Sequence, residues 1–258
     1  MSWYPQIGAG SIAQFPLQRT RKWRTILNQM ESGEQIVLPD TAAGQISWKL
    51  TYTDLTDTEI ASISSLFTAS QGKFGAFTFI DPLANLLGWS EDLSQPNWQP
   101  GLLQNRSGVT DPLGTQRAWS VSNGTTGGQS LAQTVGVSGD YVVCFSVWIQ
   151  SSTTGAVTLE RDGNQTIAQI GPAWQRVFIS GTGAAGAAQS TFAIALAAGQ
   201  TICVFGPQVE AQPGPSAYKQ TMGPLGIYEE TYFGTDELEI TSTNFGLSSC
   251  AVSLTSRV

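Results

Sequence analysis

Five tryptophans, Trp89, Trp98, Trp119, Trp148 and Trp174, fall between residues 86 and 221. A broad aromatic face flanked by a few convergent polar groups is the chemistry by which proteins hold the apolar side of a sugar ring. Trp148 draws attention because strand geometry puts it on one face with Ser146 and Gln150, opposite the apolar face of Phe145, Val147 and Ile149. Trp174 follows Gly171-Pro172-Ala173 and precedes a strand pattern, which sets it at a sheet edge, and Trp98 stands in the loop Pro96-Asn97-Trp98-Gln99-Pro100. Trp148, Ser146, Gln150, Trp174 and Trp98 are therefore the candidate carbohydrate contacts.

Other chemistry is restricted by what the chain lacks. It has 258 residues and no histidine. That removes the commonest general base, the usual zinc ligand and every Ser-His-Asp or Cys-His nucleophile. Two carboxylates about 5–9.5 Å apart could cleave a glycosidic bond. Glu160 and Asp162, flanking Arg161 at a strand end, offer such a pair but read more simply as a charged turn, and Glu91-Asp92 and Asp111 add nothing that converges on them. Asp111, Asp140 and Glu210 could contribute oxygens to a calcium ion, but no loop shows dense acidic spacing. The expectation is a chain with no catalytic residues, no metal site and no cofactor. Cys144, Cys203 and Cys250 sit in apolar or small-residue runs and read as buried free thiols.

Charge is sparse, at 12% of residues, and uneven: 12 basic and 19 acidic residues give a net charge of −7. An acidic balance argues against coating a nucleic acid. Arg19, Arg21, Lys22 and Arg24 surround Trp23 near the start, whereas Glu229, Glu230, Asp236, Glu237 and Glu239 crowd the end. In a strand, Arg19 and Arg21 share one face and Lys22 and Arg24 the other, so the run forms no single stripe for a polyanion. Pairing between this basic run and the 229–239 segment of a neighbouring copy is the better use, which makes these residues candidate subunit contacts.

The elements that must position these residues are mostly strands, as abundant Gly, Ser and Thr with few charges suggest. One helix is expected from Thr56, where Thr56 and Glu59 form a capping box, with Ile60, Ile63 and Phe67 on one face and Gly72 beyond the last turn. Strands are expected over Ile46–Tyr52 and Phe74–Ile80 on either side of it. Further on they are expected at Tyr141–Gln150, Val157–Glu160, Gln175–Ser180, Phe192–Leu196, Thr201–Phe205, Leu238–Thr241 and Ala251–Thr255. Gly181–Ala188 reads as a loop, and Gln212-Pro213-Gly214-Pro215 as a break.

The last 37 residues are too few to bury a core alone, so 1–85 and 222–258 are expected to form one discontinuous domain, with 86–221 inserted as a β-sandwich or jelly roll. No apolar run approaches the ~20 residues that cross a bilayer. Met1 to Pro5 lack the basic start and apolar core of a signal peptide, so the chain is expected to be made and kept in a cytosol.

Two stretches resemble proteins of tailed bacteriophages. Residues 15–85 carry Phe15-Pro16, Arg24-Thr25, Trp48-Lys49-Leu50-Thr51-Tyr52, the Leu55-Thr56-x-x-Glu59 helix start and Gly72-Lys73-Phe74-Gly75-Ala76-Phe77-Thr78-Phe79-Ile80-Asp81-Pro82. This stretch resembles distal-tail or minor-tail proteins, and Ala251-Val252-Ser253-Leu254-Thr255 is similar to how such chains finish. Residues 85–221 resemble the carbohydrate-binding-module-like jelly roll of phage structural proteins. They do so through Asn85-Leu86-Leu87, Ser90-Glu91-Asp92-Leu93, Trp98, Phe145-Ser146-Val147-Trp148-Ile149, Trp174-Gln175-Arg176-Val177, Gly206-Pro207-Gln208-Val209-Glu210, Tyr218 and Thr221.

The resemblance implies a mainly β virion protein: a barrel-like belt domain with one helix, plus the inserted jelly roll. It implies a homo-oligomeric ring, usually a hexamer, between the tail tube protein and the tail tip hub protein, assembled in the host bacterial cytoplasm. The jelly roll would face outward toward host cell-surface polysaccharide. The competing reading is a glycan-active or receptor-binding adsorption protein in which the middle domain acts first, cleaving glycan through Glu160 and Asp162.

Overall fold

The computed structural model describes residues 2–8 and 10–257. In chain order, β1 (Gln18–Gln29), β2 (Gln35–Thr56), α1 (Asp57–Ala69) and β3 (Phe77–Ile80) come first. β4 (Gln104–Val109), β5 (Ala118–Ser122), β6 (Gln129–Val135), β7 (Val143–Gln150) and β8 (Gly155–Arg161) follow. Then come β9 (Asn164–Ile170), β10 (Gln175–Gly181), β11 (Ser190–Leu196) and β12 (Thr201–Glu210). β13 (Ile227–Phe233), β14 (Ile240–Asn244) and β15 (Leu247–Arg257) close the chain. No helix is long and apolar enough to cross a membrane among the described residues.

The fold is mainly β and divides into two compact units. Unit 1 holds Ile12–Ile80 and Tyr228–Val258 with the stretch that ends at Gly8, and unit 2 holds Asp81–Ile227 with a short piece ending at Ser11. The breaks at Ile80/Asp81 and Ile227/Tyr228 stand beside the expected 85/86 and 221/222.

Unit 1 is one six-stranded sheet in the order β1-β2-β15-β13-β3, with β14 also paired to β15. Its core is aromatic. Ile46, Trp48, Leu50 and Tyr52 are all buried on one face of β2, as their period of two requires. Trp48 meets Phe79 at 4.7 Å, and Phe77 meets Phe233 at 4.9 Å. The Tyr52 hydroxyl is satisfied by the Ile12 carbonyl at 2.7 Å and the Tyr4 hydroxyl at 3.0 Å.

Helix α1 starts at the capping box: the Glu59 amide donates to Thr56 Oγ1 at 3.4 Å, and the Thr56 amide to Glu59 Oε2 at 2.7 Å. Glu59 Oε1 also accepts from the Gly8 amide. The Thr56 hydroxyl, donating to Glu59 Oε2 at 2.7 Å, does most to hold the Glu59 carboxylate below the usual range, and the Thr56 and Gly8 amides add to it. The buried helix positions are Ile63 and Leu66, while Ile60 and Phe67 are half-buried. Gly72 turns the chain with φ +63°. The strand expected from Phe74 begins instead at Phe77, because the Gly75 amide bonds back to the Ser70 carbonyl at 2.7 Å and leaves Phe74 in an exposed turn.

Unit 2 is a sandwich of a five-stranded sheet, β10-β7-β12-β5-β4, and a four-stranded sheet, β6-β11-β8-β9, with every registered pair antiparallel. Phe145 of β7 and Phe192 of β11 meet between the sheets at 5.7 Å. Arg161 ends β8 with its guanidinium buried, donating to the carbonyls of Tyr141 (2.8 Å), Ser138 (3.2 Å) and Gly181 and to Ser190 Oγ (3.2 Å). Burial, partly offset by Asp162, lowers its pKa to about 10, so it stays charged at neutral pH. The strand expected from Tyr141 begins at Val143, since Tyr141 belongs to a turn bonded to Ser138.

Candidate functional site

Sheet pairing assembles the site on the outward face of the β7–β10 edge. Phe145, Val147 and Ile149 of β7 fill the sandwich, so Cys144, Ser146, Trp148 and Gln150 point the other way. Residues directly opposite across an antiparallel pair share a face. Trp148 lies opposite Arg176, and Ser146 opposite Phe178; the same register continued by one residue puts Trp174 opposite Gln150. Trp174, Arg176 and Phe178 therefore form a ladder along the edge strand β10, beside Trp148 and Gln150. Trp148, Gln150, Trp174 and Arg176 are half-exposed, and Phe178 is 47% exposed. At about 3.3 Å per residue, the ladder runs about 13 Å from Trp174 to Phe178.

The polar groups on this face are held in place. Gln150 Nε2 donates to the Pro172 carbonyl at 2.6 Å. Arg176 donates to Ser146 Oγ at 2.9 Å and to the Ser216 carbonyl. Further along, segment 211–221 lies over the face. The buried Glu210 accepts from Lys219 Nζ at 2.7 Å, the Ser216 amide at 3.0 Å and Ser216 Oγ. Burial pushes the Glu210 carboxyl up, but these bonds outweigh it and hold it below the usual range. The same burial, helped by Glu210, pushes the Cys144 thiol up to about 12.

Two candidate contacts need correction. Ser146 has no exposed surface, because Arg176 and the 211–221 segment cover it, so it supports Arg176 and cannot reach a ligand. Trp98 is 3% exposed and donates its Nε1–H to the Trp89 carbonyl at 3.1 Å, so it anchors its loop and offers no ring face. Trp148, Gln150 and Trp174 do come together. Phe178 was missed because its exposure follows only from β10 being a sheet edge, and Arg176 because its partner, Ser216, lies 40 residues away.

The candidate acids are committed elsewhere. Glu160 accepts from Gln165 at 2.7 Å, and Asp162, in a turn with φ +50°, accepts from the Thr191 amide at 2.7 Å. Glu91 pairs with Arg117 at 2.9 Å. Burial pushes the Asp111 carboxyl up, but bonds from Thr115, Leu113 and Arg117 overcome it and leave it lowered. Asp140 accepts from the Gly186 amide at 3.0 Å. Among the described residues no three His, Cys, Asp or Glu side chains gather where a metal could bind. The three cysteines are free; Cys144 and Cys250 are buried and Cys203 is half-buried.

The charged candidates lie in unit 1. Arg19, Arg21, Lys22 and Arg24 are all exposed on β1, but a register break between Lys22 and Arg24 interrupts the simple two-face division. Arg24 is not uncommitted, because its Nε donates to Asp40 at 2.7 Å. Asp236 is likewise taken, by the Lys73 amide at 2.9 Å and Nζ at 3.3 Å. Glu229, Glu230 and Glu237 are exposed.

No family model matches the chain, and no curated protein matches it in sequence. Among solved structures, the enzymatically active domain of tailspike protein 4 of bacteriophage CBA120 is similar at 15% identity and a TM-score of 0.36, over 51% of this chain and 21% of that one. The CBM22-1 xylan-binding domain of Paenibacillus barcinonensis Xyn10C is similar at 13% identity and a TM-score of 0.40, over 52% of this chain and 99% of that one. TmCBM61, solved with β-1,4-galactotriose, is similar at 13% identity and a TM-score of 0.35, over 49% and 97%.

Proposed function

We propose that the chain is a non-enzymatic structural protein of a phage tail. Unit 1 forms a distal-tail ring, a hexamer between tail tube and tip hub, and unit 2 contacts host-surface glycan. The observation that carries the glycan half is the outward ladder of Trp174, Arg176 and Phe178 beside Trp148 and Gln150. Half-exposed rings with fixed polar neighbours suit stacking on sugars along a chain. The ring half is supported by the phage-like motifs of residues 15–85 and by the exposed basic and acidic segments of unit 1. The non-enzymatic reading is supported by the structural partners of Glu160, Asp162, Glu91 and Asp111.

The test is retention of the oligomer on immobilised bacterial surface polysaccharides. Six weak sites on one ring gain from effective concentration, so the assembly rather than the monomer is the species to measure. Binding is expected for the native chain, with affinity falling about tenfold or more in Trp174→Ala, the scale of losing one anchoring aromatic. No binding by an assembled native ring would overturn the glycan half. Sugar release abolished by Glu160→Gln would overturn the non-enzymatic half.

A further inference from the structure

Among the described residues, the far end of the β1–β2 pair in unit 1 has no third strand beside it. β15 covers β2 only from Gln45 onward, so the stretch from Arg24–Asp40 to Gln29–Gln35 is a two-stranded ribbon, about 17 Å long at about 3.3 Å per residue. Its register puts Leu27 with Val37 on one face and Ile26 with Leu38 on the other, and all four are exposed, Leu27 by 64%. A ribbon of two strands alone is marginal in water, and apolar side chains on both faces ask to be covered.

The surface that fits it is at the opposite edge of the same sheet. β14 pairs with β15 among the described residues, and all five of its residues are exposed. Ile240 and Phe245 stand exposed at its two ends. Glu237 and Glu239 precede it and line a groove of about 470 Å³ with Thr51, Thr53 and Thr241. Along β1, the exposed Arg21 and Lys22 lie at the base of the ribbon. One edge is thus basic and apolar, the other acidic and apolar. The remaining edge strand, β3, is fully buried and bridged by Trp3 through Thr78.

We infer that β1 of one copy adds as a strand to β14 of a second copy, with Arg21 and Lys22 against Glu237 and Glu239 and the ribbon laid over Ile240 and Phe245. This deepens the ring half of the function proposed above and rests on it. Because donor and acceptor edges differ, the contact is head-to-tail, and each copy keeps one of each to offer. Such contacts close into a ring when the rotation from one copy to the next closes, and run on as a filament when it does not.

Sedimentation velocity of the full chain tests this with Arg21→Glu/Lys22→Glu, with Glu237→Lys/Glu239→Lys, and with the four changes together. All four positions are exposed, and circular dichroism confirms the fold of each variant. Each double variant is expected to raise the dissociation constant about tenfold or more, the scale of close interfacial charge pairs, and the fourfold variant to recover assembly. Oxidation of a Thr25→Cys/Ser242→Cys variant is expected to give a ladder of linked chains. A native chain that assembles while the fourfold variant recovers nothing and the cysteine variant stays unlinked overturns the strand addition and leaves the ring. A native chain that is monomeric throughout overturns both.

Discussion

Two charged side chains of unit 2, Arg161 and Glu210, are buried against partners from the unit itself, whereas unit 1 extends a two-stranded ribbon with apolar groups on both faces into water. In unit 2 the buried Arg161 meets three carbonyls and a serine, and the buried Glu210 is closed by Lys219 and Ser216. In unit 1 the ribbon beyond Arg24–Asp40 leaves Ile26, Leu27, Val37 and Leu38 exposed. A buried charge is tolerated only when its partners are built in, and unit 2 supplies them within its own chain for Glu210 and for all of the Arg161 guanidinium but Nε, which has only Asp162 at 3.7 Å. Exposed apolar area on a thin ribbon costs solubility and gains little stability, so it points to a surface completed by another chain. On the proposed function, unit 2 is the module with an outward face, and unit 1 is one piece of an assembly.

That contrast orders the expected effects of mutation. The largest is Arg161→Met, which strands buried carbonyls of Tyr141, Ser138 and Gly181 and is expected to cost about 3 kcal/mol or more. Thermal unfolding monitored in unit 2 checks it, and a change below about 1 kcal/mol would show that the site is wet. Next is Lys219→Met, which leaves Glu210 buried with weaker compensation, at about 2–3 kcal/mol. Glu210 has a lowered pKa in the folded state, so its contribution is complete above the ordinary glutamate value of about 4.3 and fades as pH falls through the folded value. Chemical denaturation as a function of pH is expected to show this loss in the native chain and much less of it in Lys219→Met.

Trp174→Ala is expected to change stability by less than about 1 kcal/mol while reducing glycan retention, because the ring is half-exposed on a sheet edge. The smallest expected stability effect belongs to the ribbon. Leu27→Thr with Val37→Thr removes only exposed apolar area, adds no like-charge pair across the ribbon, and is expected to leave monomer unfolding within about 0.5 kcal/mol. A large destabilisation there would break the contrast, by showing that the ribbon packs within its own chain.

The local signals in the sequence were strong where one face is buried against the chain's own core. The Thr56 and Glu59 capping box and the Ile46, Trp48, Leu50, Tyr52 face both follow from short-range pattern, and both are present. The ribbon was not legible beyond its basic start. A strand pair with no buried face has no reason to alternate, and Ile26-Leu27 and Ile36-Val37-Leu38 run together instead. At the candidate site, the grouping of Trp148 with Gln150 follows from period two, but the covering of Ser146 depends on a segment some 70 residues later. Strand spacing cannot show such a cover. Nor can it show which strand becomes an edge, and that is what exposes Phe178.

The most direct test of unit 1 as an assembly piece is the native mass of the full chain by sedimentation, beside Leu27→Thr/Val37→Thr at the same concentration. The native chain is expected to sediment as a closed oligomer and the variant as a monomer of unchanged fold. Equal masses for the two, whether both monomeric or both assembled, would contradict the account.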